Sequence, residues 1–102
     1  MRDYEEIFPG ELENWRSRGA QLVDVRERWE YAGGHIPGTK NIPLGQLLGR
    51  IDELEEPLVL VCATGNRSGQ AAHYLTEHGI RNDVANLIGG TEGWIGRGLP
   101  VE

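Results

Sequence analysis

Hydrophobic positions along this chain switch between two periods. Leu12 and Trp15 stand at helical spacing between Pro9 and Gly19, so residues 9–18 are predicted as a helix opened by a proline and ended by a glycine. Residues 21–25 are a short run rich in β-branched side chains and read as a strand. Residues 27–31 read as a helical turn closed by Gly33 and Gly34. Residues 41–43 are expected as a short strand, with Pro43 confined to its end because proline has no N–H for the ladder. Apolar side chains at 44, 47, 48, 51 and 54 predict a helix over 44–54, broken by Pro57. Residues 58–62 are continuously apolar, as in a strand buried on both faces of a parallel sheet. Residues 68–78 place Ala71, Ala72 and Leu75 on one helical face, with Gly79 as the stop. A last strand over 83–88, a Gly89-Gly90 turn and a short helix over 91–97 follow. This alternation predicts an α/β domain in three layers, with a mainly parallel central sheet of about five strands flanked by helices.

Length and composition narrow that picture. The chain has 102 residues, which fits a single domain over 1–102 with one continuous core. No run approaches the 18 or so consecutive apolar residues of a membrane span. The early acids Asp3, Glu5 and Glu6 are not followed by an apolar run, contrary to a secretory signal. The single cysteine forms no internal disulfide and fits a reducing, cytoplasmic location. Sixteen acids against ten bases, a net charge of -6, disfavour nucleic acid and anionic membranes as partners. They also lead us to expect that a protein partner docks through a basic surface.

The acids are unevenly placed. They cluster at Glu5, Glu6, Glu11 and Glu13 and again at Asp52, Glu53, Glu55 and Glu56, yet residues 31–51 and 57–76 hold none. Cys62 lies in the second gap, where Arg67 is the one formal charge. Two readings fit: a cleared site for an anion, or buried strands and glycine turns that exclude charge anyway.

Chemistry concentrates after the most buried strand. Cys62 ends it, and Ala63, Thr64, Gly65, Asn66, Arg67 and Ser68 lead into a helix. Ligands of open α/β sheets bind at the carboxyl ends of strands. A small-residue loop running into a helix turns its backbone N–H groups and the positive end of the helix dipole toward one point. A thiol at the rim of that nest is expected to have a lowered pKa and to act as a nucleophile without a separate base. The alternative is a small core hydrophobe, as free cysteines often are. The Gly65–Ser68 segment weighs against it, because a core cysteine needs no such loop.

Cys62-Ala-Thr-Gly-Asn-Arg-Ser68 resembles the active-site loop of the rhodanese family of sulfurtransferases. The resemblance extends to Leu22-Val-Asp-Val-Arg26, Trp29-Glu-Tyr31, Gly34-His-Ile-Pro-Gly38 and Asn41-Ile-Pro43. Toward the other end, Asn86-Leu-Ile-Gly-Gly90, Gly93-Trp94 and Gly98-Leu-Pro100 fit as well, so it spans about residues 4–101. It implies a rhodanese-like fold and a persulfide mechanism. Cys62 takes sulfur from thiosulfate or another small anionic sulfane donor and passes it to cyanide, a thiol or a protein acceptor. Residues 63–68 would form the anion cradle, with Arg67 bound either to the donor or to the loop itself, and the Thr64 and Ser68 hydroxyls donating to sulfur. No cofactor and no metal is implied. Relatives often carry a base directly after the cysteine, where this chain has Ala63.

Two other functions compete. Phosphatase or arsenate-reductase chemistry uses a similar Cys…Arg loop, but the tyrosine-phosphatase pattern has five intervening residues and this chain has four, Ala63 to Asn66. A non-catalytic rhodanese-like binding module is the other, and such modules typically lose the cysteine. Asp24, Arg26 and His35 are expected to support the loop, the first two as a brace at the same edge of the sheet. His73 is expected at the surface, the tryptophans in the core or at its rim, and Gly89-Gly90 as either a close backbone approach or a plain turn.

Overall fold

The computed structural model describes residues 3–102. Met1 and Arg2, where the expected domain begins, lie outside the described residues. In chain order the elements are β1 (Glu5–Ile7), a 3-10 turn over Pro9–Glu11, α1 (Leu12–Ser17), β2 (Gln21–Asp24), α2 (Arg28–Ala32) and β3 (Thr39–Asn41). Then come α3 (Leu44–Leu47), a 3-10 segment over Leu48–Glu53, β4 (Leu58–Val61), α4 (Asn66–Glu77), β5 (Val84–Leu87) and α5 (Gly90–Gly96). The five strands are all parallel, in the order β1-β5-β4-β2-β3.

Why β4 is apolar throughout follows from its central place. Leu58 and Leu60 point into a core shared with Leu47 of α3 and with Ala71, Ala72 and Leu75 of α4. Val59 and Val61 point the other way, toward Leu12 and Trp15 of α1 and Trp94 of α5. All four are fully buried, each contributing about 1.5–3 kcal/mol of transfer free energy. The sheet thus separates two helical layers, as expected. Among the described residues no helix is long and apolar enough to cross a membrane.

The differences from the sequence reading have local causes. The first helix begins at Leu12 because Pro9–Glu11 closes as a tighter turn, with Glu11 Oε2 accepting from Phe8 N–H at 2.8 Å. The strand expected at 41–43 ends at Asn41; Pro43 has no N–H, although Ile42 N–H still donates to Asp24 O at 3.0 Å. The helix expected over 44–54 is α-helical only to Leu47. Gly45 and Gly49 weaken it, and Arg50 leaves the helical region at φ -127° while its guanidinium binds Glu53. Strand β1 had no apolar pattern to betray it: Glu5 and Glu6 sit on the sheet's edge, and Ile7 alone is buried.

Candidate active site

Strand β4 stops at Val61 and delivers Cys62 to the carboxyl edge of the sheet, where the chain turns into α4. That turn depends on Gly65, which adopts φ +98°. A Cβ there would stand 3.2 Å from Leu87 O and 3.3 Å from Gly89 N. The loop after β5 backs directly onto it. Thr91 N–H donates to Cys62 O at 2.8 Å and Glu92 N–H to Ala63 O at 2.9 Å. Gly90, at φ +56°, lies so close that a Cβ would stand 2.4 Å from Cys62 O. The glycine pair is therefore a close backbone approach, with positive φ at both residues.

The sulfur sits at the floor of this loop rather than at its rim, and Cys62 is 0% exposed. Its side chain continues the α4-side core, beside Leu60 and Ala72, so the core reading was right about its burial. A hydrophobe would not gather donors, however. Sγ accepts from Gly65 N–H at 3.1 Å and lies 3.2 Å from Ser68 Oγ. Burial pushes the thiol pKa up. The Ser68 hydroxyl and the N–H groups of Ser68, Thr64 and Gly65 more than offset that, leaving it below the ordinary thiol value. The first turn of the twelve-residue α4 adds its dipole in the same sense. Thr64 reaches the sulfur by its amide, while Ser68 does so by both amide and hydroxyl. Ala63 is half-buried; the Thr64 and Asn66 side chains face solvent.

The charged residues are paired with one another. Arg67 holds Glu30 through two bonds, Nη1 to Oε1 at 2.8 Å and Nη2 to Oε2 at 2.9 Å. This fork, with the Glu27 N–H, lowers the Glu30 pKa to about 2. Arg67 thus ties the start of α4 to α2. Arg26 wraps Asp24, with Nε 3.1 and 3.0 Å from its two oxygens and Nη2 2.9 Å from Oδ2. Arg26 also donates to the carbonyls of Glu30 and Gly34, at 3.3 and 2.8 Å. A brace thus runs from β2 through α2 to Arg67.

His35 stacks on Tyr31 with ring centroids 3.8 Å apart, and its Nδ1 is 3.0 Å from Tyr31 O. Its backbone pairs with Glu102, so it supports the 34–38 turn and the end of the chain. His73 is exposed and pairs with Glu77. Trp15 and Trp94 pack in the core, while Trp29 is 77% exposed on α2.

Sequence reasoning missed two working residues. Glu30 stands just before the acid-free stretch, and folding returns it to the loop, so the cleared site of the sequence is not cleared in space. Asn86 is a fully buried amide in β5, where every neighbour in the strand is apolar. Its Oδ1 is 2.6 Å from Ser68 Oγ, and its Nδ2 donates to Gly65 O at 3.0 Å. A polar residue inside a buried strand was the available signal.

Comparison with known proteins follows the same lines. The family profile described as Rhodanese-like domain matches residues 8–97. An uncharacterized protein of Bacillus subtilis, YqhL, is 46% identical over 82 residues, covering 78% of this chain and 64% of its own length. The chain therefore spans less than two thirds of that relative. The thiosulfate sulfurtransferase GlpE of Pseudomonas paraeruginosa is 40% identical over 93 residues, 89% of this chain and 84% of the relative. Among solved structures, a rhodanese-related protein from Thermoplasma volcanium superposes with a TM-score of 0.84 at 32% identity, covering 97% of this chain and 98% of the other.

Proposed function

The chain belongs to the rhodanese-like domain family, and from that premise we propose that it is a single-domain sulfurtransferase with Cys62 as nucleophile and persulfide carrier. One observation carries the reading: a buried sulfur ringed by the N–H groups of the 63–68 loop and the Ser68 hydroxyl. The Cys62 thiolate attacks the outer sulfur of a sulfane donor. With thiosulfate the S–S bond breaks and sulfite leaves with the bonding pair, giving Cys62–S–S⁻. A thiolate or cyanide then attacks the terminal sulfur, forming a new persulfide or thiocyanate and restoring the Cys62 thiolate. Each step exchanges one sulfur–sulfur bond for another bond to sulfur, so no oxidant, cofactor or metal is called for. Amide dipoles fixed around the sulfur stabilise its negative charge before and after transfer without rearranging.

The charge inventory bears on the donor. Arg67 is neutralised by Glu30 and Ala63 brings no charge, so the loop offers dipoles rather than a free cation. Such a cradle suits a singly charged persulfide better than the doubly charged thiosulfate. With one thiol in these 102 residues, the sulfur would pass to an outside acceptor, and a lone unpaired cysteine fits a reducing cytoplasm.

Intact-mass measurement after incubation with thiosulfate or glutathione persulfide tests the proposal. We expect a gain of about 32 Da, one sulfur atom, which is removed by cyanide and absent in Cys62→Ser. Failure of every sulfane donor to add that mass would overturn it, and turnover of a phosphate ester by an unmodified Cys62 would point to the phosphatase alternative.

A further inference from the structure

Ser68 Oγ stands 3.2 Å from Cys62 Sγ and 2.6 Å from Asn86 Oδ1, yet a hydroxyl has a single proton. It therefore serves one acceptor at a time. The orientation of the Asn86 amide is not free to adjust. Gly65 O, 3.0 Å from Nδ2, is purely an acceptor, so the NH2 end must face it and the carbonyl end must face Ser68. The close fit has left a mark on α4: a Cβ at Gly69 would stand 3.1 Å from Asn86 Nδ2, so the helix carries glycine in its interior where the amide passes. All three side chains are fully or nearly fully buried, which keeps water from substituting for any of them.

We propose that Asn86 is a positioning residue: its side-chain carbonyl holds the Ser68 proton away from Cys62 while the sulfur is a thiol and yields it when a thiolate forms. In the resting state the chain runs Cys62 S–H to Ser68 Oγ, then Ser68 O–H to Asn86 Oδ1. When the thiol proton leaves to water, the Ser68 O–H rotates to Sγ and Asn86 Oδ1 loses its donor. Asn86 thus competes with the thiolate for one proton, and it tethers the loop through Gly65. This rests on the reading of Cys62 as the nucleophile but concerns its ionisation, which is measurable without any sulfur transfer.

The charged groups around the thiol belong to other elements. They are the Arg67–Glu30 pair from α4 and α2 and the Asp24–Arg26 pair after β2. Tyr4, Glu6 and His73 line the outer side of the α4 start beside Gly65 and Asn66, and Glu92 meets the loop through its backbone amide. The Ser68 hydroxyl bonds Cys62 Sγ and Asn86 Oδ1.

Thiolate titration by ultraviolet absorbance, in a double-mutant cycle, tests the competition. Asn86→Leu should raise the acid dissociation constant of Cys62 about three- to tenfold, the worth of one hydrogen-bond competitor. In the Ser68→Ala background the same change should shift it by less than about twofold. An equal shift in both backgrounds would mean that Asn86 acts only by tethering the loop, and the proposal would be wrong. Should Asn86→Leu not fold, wild-type protein decides the question. The Asn86 side-chain carbonyl resonance must titrate with the thiolate midpoint, and a resonance that stays fixed overturns the proposal. A protein that accepts no sulfur but passes these tests would refute the sulfurtransferase reading alone.

Discussion

The loops after β2 and β4 leave the same edge of the sheet and use their polar groups in opposite ways. After β2, formal charges are buried and satisfied among themselves: Arg26 is bonded to both oxygens of Asp24 and to two backbone carbonyls. After β4, the groups around the Cys62 sulfur are neutral, and several of them converge on it. The single cation there, Arg67, turns outward to Glu30. A full charge beside the sulfur would bind any anion strongly, product included. Fixed amides favour a thiolate and, in the proposed transfer, a persulfide alike, so that sulfur could arrive and leave. In this molecule full charges brace and partial charges aim.

That division can be broken at four places. Asp24→Ala leaves the Arg26 guanidinium buried and unpaired and should cost about 3–5 kcal/mol in urea unfolding. It should leave the thiol titration of the folded fraction unchanged, and a shifted titration would show that the brace also aims. Gly90→Ala strikes where the two loops touch. It combines left-handed strain with a Cβ 2.4 Å from Cys62 O and should cost about 2–4 kcal/mol. Thiol reactivity should fall with it, as read by alkylation rate.

Ser68→Ala should shift the thiol titration that Asp24→Ala leaves alone. Folding favours the Cys62 thiolate, so the acid limb of reactivity lies below the ordinary thiol pKa of 9.0. Removing the hydroxyl moves that limb to higher pH by about 1 unit, one hydrogen bond to a charged atom, and orphans the buried Asn86 Oδ1 at about 1–3 kcal/mol. Glu30→Gln is the mildest, at no more than about 1 kcal/mol, because Arg67 is 36% exposed and water screens the pair. The Glu30 pKa drops from 4.5 to about 2 on folding, so its stabilisation is full above pH 4.5 and fades as the pH falls toward 2. The variant should therefore lose stability less steeply across that acid window.

The parts legible in the sequence were those whose signals are local. Residues 58–62 read as a buried strand because both their faces are covered, and Gly65 read as a loop former because its φ is positive. Cys62 and the 63–68 loop that wraps its sulfur are consecutive residues, so their pattern could be read locally. What stayed hidden was set by distant contacts. Glu30 meets Arg67 across 37 positions and Asn86 meets Ser68 across 18, distances at which spacing carries no information. Strand β1 escaped because an edge strand with one covered side can be mostly acidic. The 44–54 helix was overread because the apolar spacing survives in 3-10 turns that two glycines allow.

The strand order has a consequence for how the protein is made. Synthesis delivers Cys62 before β5 and α5 exist. Until then β1 lacks its neighbour β5, Ser68 lacks Asn86, and the Cys62 carbonyl lacks the Thr91 amide. A growing chain on the ribosome therefore carries Cys62 in a loop that its later contacts have not yet fixed. The surroundings of the Cys62 loop are completed by β5 and α5, so a product truncated before them holds the cysteine without the contacts that fix its loop.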